Sequence, residues 1–338
     1  MLQLVNKTPF AAQLALFPDR YGIDSLYIIL KATFTIGQQW TMADEQKLPQ
    51  AADEFYSDDP TASSIKYATD FHIGKPATDI ILIGNAAPPD GREATQLDVN
   101  LTVGRVSKTV RVFGDRVWED GKAGPARPFT TMPLLYEKAF GGIHAKDGAI
   151  LAGEARNPVG CGFSGKRKTR EMNGLPLPNL EDPRKLLQYS GDVVAPAGFG
   201  FISPNWQPRL SFAGTYDEHW QKHRAPYLPD DFDLRFFNMA HPDLIYPGYL
   251  QGGEPVNISG IGPHGPLQFN LPTVGLSTDV YIKSRIEHPL FHLETLLIEP
   301  DDLQLSMTWR AALSCDKETL KISQVTVNLS RNMHIQST

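Results

Sequence analysis

From Leu26 to Ile36 every even position is apolar (Leu26, Ile28, Leu30, Ala32, Phe34, Ile36), and from Lys31 onward the odd positions are polar (Lys31, Thr33, Thr35). A period of two over that length predicts a strand with one face on a core and the other in water. Leu97, Val99, Leu101 and Val103 alternate in the same way with Asp98, Asn100 and Thr102. Gly104-Arg105 then turns the chain toward Thr109–Phe113, and Gly114-Asp115 turns it again before Val117-Trp118. Two turns between short β-rich runs predict a meander.

The C-terminal part reads the same way. Leu267, Phe269 and Leu271 alternate up to Pro272, Val280–Arg285 reads as a strand, and Leu303, Leu305, Met307 and Trp309 alternate before Arg310. In the last run Leu320 and Ile322 are even, whereas Val325, Val327 and Leu329 are odd. One inserted residue near Ser323-Gln324 produces that change of phase, so a β-bulge is predicted there.

The stretch from Gly121 to Pro266 lacks such periodicity. It is broken by Gly and Pro and rich in aromatics and paired charges, with short helices predicted at Leu134–Phe140 and Asp217–His223. A structureless loop of that length does not suit a compact domain. The expectation is a segment packed by its own side chains. The pattern as a whole predicts a mainly β protein of antiparallel, sandwich-like sheets, with a long loop-rich, Gly/Pro-rich central segment and a few short helices. Residues 1–120 form the N-terminal β part, and 121–338 form the motif-bearing segment plus C-terminal strands packed against it, with a nominal boundary near Gly121.

Composition narrows the function. The 28 glycines and 27 prolines are about one residue in six, above the usual one in eight, which favours turns over helix. A hydrophobic share of 41% argues against disorder, and a net charge of −6 offers no basic footprint for nucleic acid. Cys161 and Cys315 are too few for a disulfide scaffold. The first residues show no basic, then apolar, then small-residue pattern, and no apolar run is long enough for a membrane helix. The expected compartment is the cytoplasm, with neither nucleic acid nor membrane as partner.

Candidate chemistry is sparse. Asn157–Phe163 and Pro196–Phe201 are glycine clusters that fit neither phosphate-loop nor dinucleotide spacing, and are read as tight turns pinned by Phe163, Phe199 and Phe201. Cys161 lies between glycines without a recognisable base. His219/His223 and His288/His292 have the i, i+4 spacing of metal ligands, but Pro289 interrupts the second pair and no Cys pair stands at zinc spacing. No metal and no cofactor are expected. Asp217, Asp231, Asp233 and Glu254 suit either acid–base chemistry on a glycoside or pairing with Arg209, Arg224 and Arg235. The second reading makes Arg209, Asp217, Asp231, Asp233, Arg235 and Glu254 organisers of the middle segment, with Asp231 or Asp233 paired to Arg209 or Arg235. Trp206, Tyr216, Trp220, Phe236, Phe237, Tyr246 and Tyr249 are either core or the aromatic anchors of a protein interface.

The middle segment carries a resemblance. Tyr136–Gly142, Asn157–Phe163, Leu177–Glu181, Pro196–Gly200 and Trp206–Arg209 follow one another, then Gly214–Asp217 with Trp220, Leu228–Asp233, Phe236–Asn238, Gly253-Glu254 and Leu271-Pro272. Together they resemble a bacterial family carried as a domain of unknown function, number twenty-one sixty-nine. Its members are encoded beside type VI secretion spike, PAAR-tip and toxin genes and are regarded as effector adaptors or chaperones. His241-Pro242-Asp243-Leu244 departs from the family's Pro-Asp-Gln type of ending. The resemblance implies a non-catalytic adaptor that holds an effector toxin or its PAAR-domain carrier and helps load it onto the VgrG spike. A carbohydrate-active hydrolase and a structural subunit of the secretion apparatus are the alternatives.

Overall fold

The computed structural model describes residues 2–329; the last nine residues of the predicted second part lie outside it. In chain order, the strands of the three larger sheets begin with β1 (Gln3–Asn6), β2 (Ala11–Pro18), β3 (Asp24–Thr35), β4 (Thr78–Leu82), β5 (Gln96–Val103) and β6 (Val106–Phe113). There follow β7 (Leu180–Glu181), β8 (Ile245–Tyr246), β9 (Pro255–Ser259), β10 (Leu267–Asn270) and β11 (Leu276–Ile282). The last four are β12 (Arg285–Glu287), β13 (His292–Glu299), β14 (Gln304–Ser314) and β15 (Ile322–Leu329). The seven-stranded sheet runs β8-β4-β13-β14-β3-β2, with Thr41–Met42 paired onto β3. The five-stranded sheet runs β7-β6-β5-β9-β10 and the four-stranded one β1-β15-β11-β12. Within these three sheets pairing is antiparallel except for β4 with β13 and β1 with β15. The protein is mainly β, as its alternation predicts.

Strands from both ends of the chain share sheets, because β3 lies between β2 and β14. One core takes in Leu26, Ile28, Leu30, Ala32 and Phe34 of β3, Ile80–Leu82 of β4, Val99 and Leu101 of β5, and Tyr136, Phe199 and Trp206 of the middle segment. A smaller cluster gathers Trp118, Phe140, Met172, Leu177, Leu187 and Val194. Each fully buried side chain of this size stabilises by about 1.5–3 kcal/mol. Gly121 lies in the turn of a small hairpin, Trp118–Glu119 with Lys122–Ala123.

Three expectations need correction. The polar face of β3 is not in water. Ser25 to Phe34 are all buried, with Thr33 at zero exposure, because later segments cover that face and Asp70 meets the Lys31 ammonium at 2.9 Å. The meander stops after β6. Phe113 N donates to Asn179 O, and β7 takes the edge that a third meander strand would have used. The run Val280–Arg285 is two strands, since Lys283 turns the chain at φ +52°.

The predicted bulge is present, with Tyr281 opposite Gln324 and Ile282 opposite Ile322, leaving Ser323 unpaired. Of the predicted helices, Asp217–His223 becomes α2 (Glu218–His223), preceded in the chain by the one-turn α1 (Thr169–Met172). Leu134–Phe140 yields only a 3-10 turn over Tyr136–Lys138. No helix among the described residues is long and apolar enough to cross a membrane.

Candidate functional site

The middle segment is held by side chains that reach backbone. Asn157 is fully buried and donates to Tyr136 O at 2.7 Å and Phe140 O at 3.1 Å, joining the first two motifs. Arg209, predicted to pair with an aspartate, instead donates from Nε to Phe236 O (2.8 Å) and from Nη1 to Ile202 O (2.5 Å). Burial draws its guanidinium down to about 10. Asp233 does pair with Arg235, Oδ2 to Nη2 at 2.6 Å, but the two are neighbours on an open turn, and beyond it the Arg235 guanidinium reaches only the Phe212 ring, at 4.3 Å. Asp231 accepts from Thr215 N (2.9 Å) and Oγ1 (2.7 Å), under Gly214, whose φ is +78° and where a Cβ would stand 2.9 Å from Asp231 Oδ1. Asp217 caps α2 through Trp220 N, and Glu254 closes the Gly252-Gly253 turn by accepting from Gln251 N and Gly252 N. Arg224 pairs with Asp230 at 3.1 Å.

Every one of these carboxylates therefore has a structural partner. Those of Asp231 and Asp233 are held below their usual range, by the Thr215 bonds and by Arg235 respectively. A glycosidase acid needs the opposite shift. Burial pushes the Cys161 thiol up to about 11, away from a reactive thiolate. His219 and His223 do face each other on α2, with ring centroids 4.6 Å apart, while His288 bonds Asp279 and His292 stacks on Tyr249. Among the described residues no group of three or more His, Cys, Asp or Glu gathers as a metal site.

The seven aromatics do not form one surface. Trp206 is buried edge-on to Tyr136. Phe236 and Phe237 pack with Phe232, and Phe237 also stacks on His72. Trp220 on α2 meets Tyr216, just before the helix, at 4.8 Å. Tyr246 lies under Arg105, and Tyr249 donates to Lys75 O at 2.6 Å. Only Tyr216 among them is exposed, at 54%.

Beneath Tyr249 and Phe237 lies an array that the sequence reading passed over. Asp79 is fully buried at the start of β4 and accepts from Lys75 Nζ (2.7 Å), Asn238 Nδ2 (2.9 Å) and Met239 N (2.8 Å). Glu294 accepts from Lys75 N and Arg310 Nε, and Arg310 also reaches Asp70 O and His72. A cavity of only about 10 Å³, roughly one water, borders Asp70, Lys75 and Met239. The available signal was Asp70-x-His72-x-x-Lys75 and Asp79 crowded before the apolar run Ile80–Leu82.

Two hollows meet at the turn His241–Asp243. One is an apolar socket of about 160 Å³ walled by Tyr136, Ala195, Pro196, Gln207, Pro208 and Pro242. Motif segments far apart in sequence thus converge there, and Gly198 lets one of them close in, since a Cβ would stand 2.8 Å from the Tyr136 ring. The other is a charged cleft of about 250 Å³ lined by Lys108, Asp182, Arg184 and Asp243. The Lys108 ammonium lies 3.2 Å from His241 Nδ1 and 3.3 Å from Asp243 Oδ2, and Arg184 bridges Asp243 and Asp182. Burial, then Lys108, push the His241 imidazole down to about 4, and its Nδ1 accepts from Asp243 N. Burial also lowers the Lys108 ammonium, while for Asp243 burial is outweighed by Lys108 and His241 and the carboxyl is held low.

A socket of 160 Å³ is below the usual 300–1,000 Å³ of small-molecule sites, and its size suits one anchoring side chain of a partner. Larger hollows of about 600 and 700 Å³ flank the loop 260–266 and share His264 and Pro266. The closing motif residues Gly253, Leu271 and Pro272 line the first of these.

The protein is mainly β, with mostly antiparallel sheets and a motif-built socket beside a charged cleft. Residues 21–310 match the model of a family described as "Uncharacterized protein conserved in bacteria (DUF2169)", and the chain belongs to that family. No curated protein and no solved structure matches it.

Proposed function

We propose that this chain is a non-catalytic adaptor or chaperone that binds a type VI secretion effector, or its PAAR-domain carrier, and helps load it onto the VgrG spike. The observation that carries the reading is the convergence of Tyr136, Pro196, Gln207-Pro208 and Pro242 on one apolar socket bordered by Lys108, Arg184 and Asp243. An apolar anchor point with a charged border is the anatomy of a protein interface. The buried, hydrogen-bonded array within the seven-stranded sheet supports it as well, because a pre-organised platform lowers the cost of ordering on binding.

The test is co-purification of the full chain with a PAAR-domain protein and an effector toxin of a type VI secretion system. A complex of fixed stoichiometry is expected. If the chain binds neither, and the toxin is delivered normally without it, the reading is wrong.

A further inference from the structure

Strand β2 is the outer strand of the seven-stranded sheet, and its hydrogen-bond phase can be worked out. Cys315 N donates to Asp24 O and Ile36 N to Leu303 O, so even residues of β3 bond to β14 and odd ones face β2. Ala11 stands opposite Lys31 and Phe17 opposite Ser25, so odd residues of β2 bond to β3, and the Asp19 N to Ile23 O bond continues that phase. The N–H and C=O groups of Ala12, Leu14 and Leu16 point outward and, among the described residues, have no partner.

Natural sheet edges are guarded by brevity, charge, bulges or proline. Here β7 and β8 have two residues each, β12 has three with Arg285 and Glu287, β1 has four, and the Asn270 carbonyl of β10 is taken by Trp40 Nε1 at 2.8 Å. Strand β2 runs eight residues, Ala-Ala-Gln-Leu-Ala-Leu-Phe-Pro, with no charge and no register shift. Its Leu16 is 47% exposed.

We propose that a second copy of this chain occupies that edge, the two β2 strands pairing antiparallel about a two-fold axis through Leu14. The argument is the strand's own symmetry. With the axis there, Ala11 of one copy faces Phe17 of the other, Ala12 faces Leu16, and Leu14 faces Leu14. Each small residue meets a large one, and no charge meets its like, as a self-complementary two-fold interface requires.

The register is also determined. Moving the axis to Gln13 brings in Phe10, whose N–H already donates to Thr8 Oγ1 and whose C=O accepts from Asn6 Nδ2. Moving it to Ala15 brings in Pro18, which has no N–H. The axis at Leu14 uses all three outward residues of each copy, giving about six main-chain hydrogen bonds. This pairing stands independently of the cargo reading, and it joins the seven-stranded sheets of two copies into one.

Sedimentation velocity of the full chain from nanomolar to tens of micromolar, with Leu16→Pro alongside, tests it. The Leu16 N–H is unused within one copy, so proline there removes an inter-copy donor and leaves the β2–β3 ladder intact. Wild type should reach twice its 37.5 kDa with rising concentration, while Leu16→Pro stays at single mass and melts like wild type at the low concentration where both are single copies. Hydrogen exchange on the wild type reads the same contact without substitution. The amides of Ala12, Leu14 and Leu16 should slow tenfold or more on concentration. A wild type that remains a single copy throughout overturns the proposal. So does a dimer in which those three amides exchange as fast as in the monomer, whatever Leu16→Pro does.

Discussion

Asn238 donates its side-chain amide to Asp79 Oδ1 at 2.9 Å, across 159 positions of sequence. The other Asp79 oxygen takes Lys75 Nζ and Met239 N, so an irregular segment is fastened to the seven-stranded sheet at a buried charge. Removing one partner of such a pair costs about 3–5 kcal/mol, because the other is left buried and uncompensated. Asp79→Ala strands the Lys75 ammonium with only the Thr295 hydroxyl beside it and should lose that much. Asp233→Ala, on an open pair, should lose under about 1 kcal/mol. Urea unfolding of the two variants checks the ranking, and equal losses would contradict it.

Arg209 acts through carbonyls rather than through an aspartate. Arg209→Ala leaves Ile202 O and Phe236 O without their donor, at about 1–3 kcal/mol for each buried group. Arg209→Lys keeps the charge but not the fork, and should fall between wild type and alanine. Thermal melts distinguish the three. An Arg209→Ala protein that melts like wild type but has lost its partner would make this arginine an interface residue instead.

What was readable in the chain was local. The alternation at Leu26–Ile36 located β3, the change of phase between Ile322 and Val325 located the bulge at Ser323, and Asp217 marked the start of α2. What was hidden depended on partners far away. Nothing beside Lys31 announces Asp70, and nothing beside Lys75 announces Glu294, 219 positions later. The same blindness covered the socket, because Tyr136, Pro196, Gln207 and Pro242 become neighbours only once Asn157, Arg209 and Asp79 have folded the segments that carry them.

Acid should weaken the fold through its buried imidazoles. Burial depresses His241 from 6.5 to about 4 and drives His72 well below its usual range, so both are neutral when folded. Between those values the unfolded chain binds more protons than the folded one, and stability rises with pH. The contribution is complete above about pH 6.5 and is lost as pH falls toward 4. His241→Asn, which keeps an acceptor for Asp243 N, should flatten part of that slope in denaturant melts at pH 7 and pH 5. An unchanged slope would contradict the assignment.

The central claim is that the socket seats an anchor of the cargo, and Ala195 offers the cleanest access to it. Ala195 is exposed on the socket's wall and outside the core, so Ala195→Trp fills the space without disturbing the packing beneath. The decisive measurement is isothermal titration of the PAAR-domain protein, or the toxin, into the wild-type chain and into Ala195→Trp. Saturable binding to wild type, weakened at least tenfold in a variant of unchanged melting temperature, is the predicted result. Equal affinity for both chains would contradict the account.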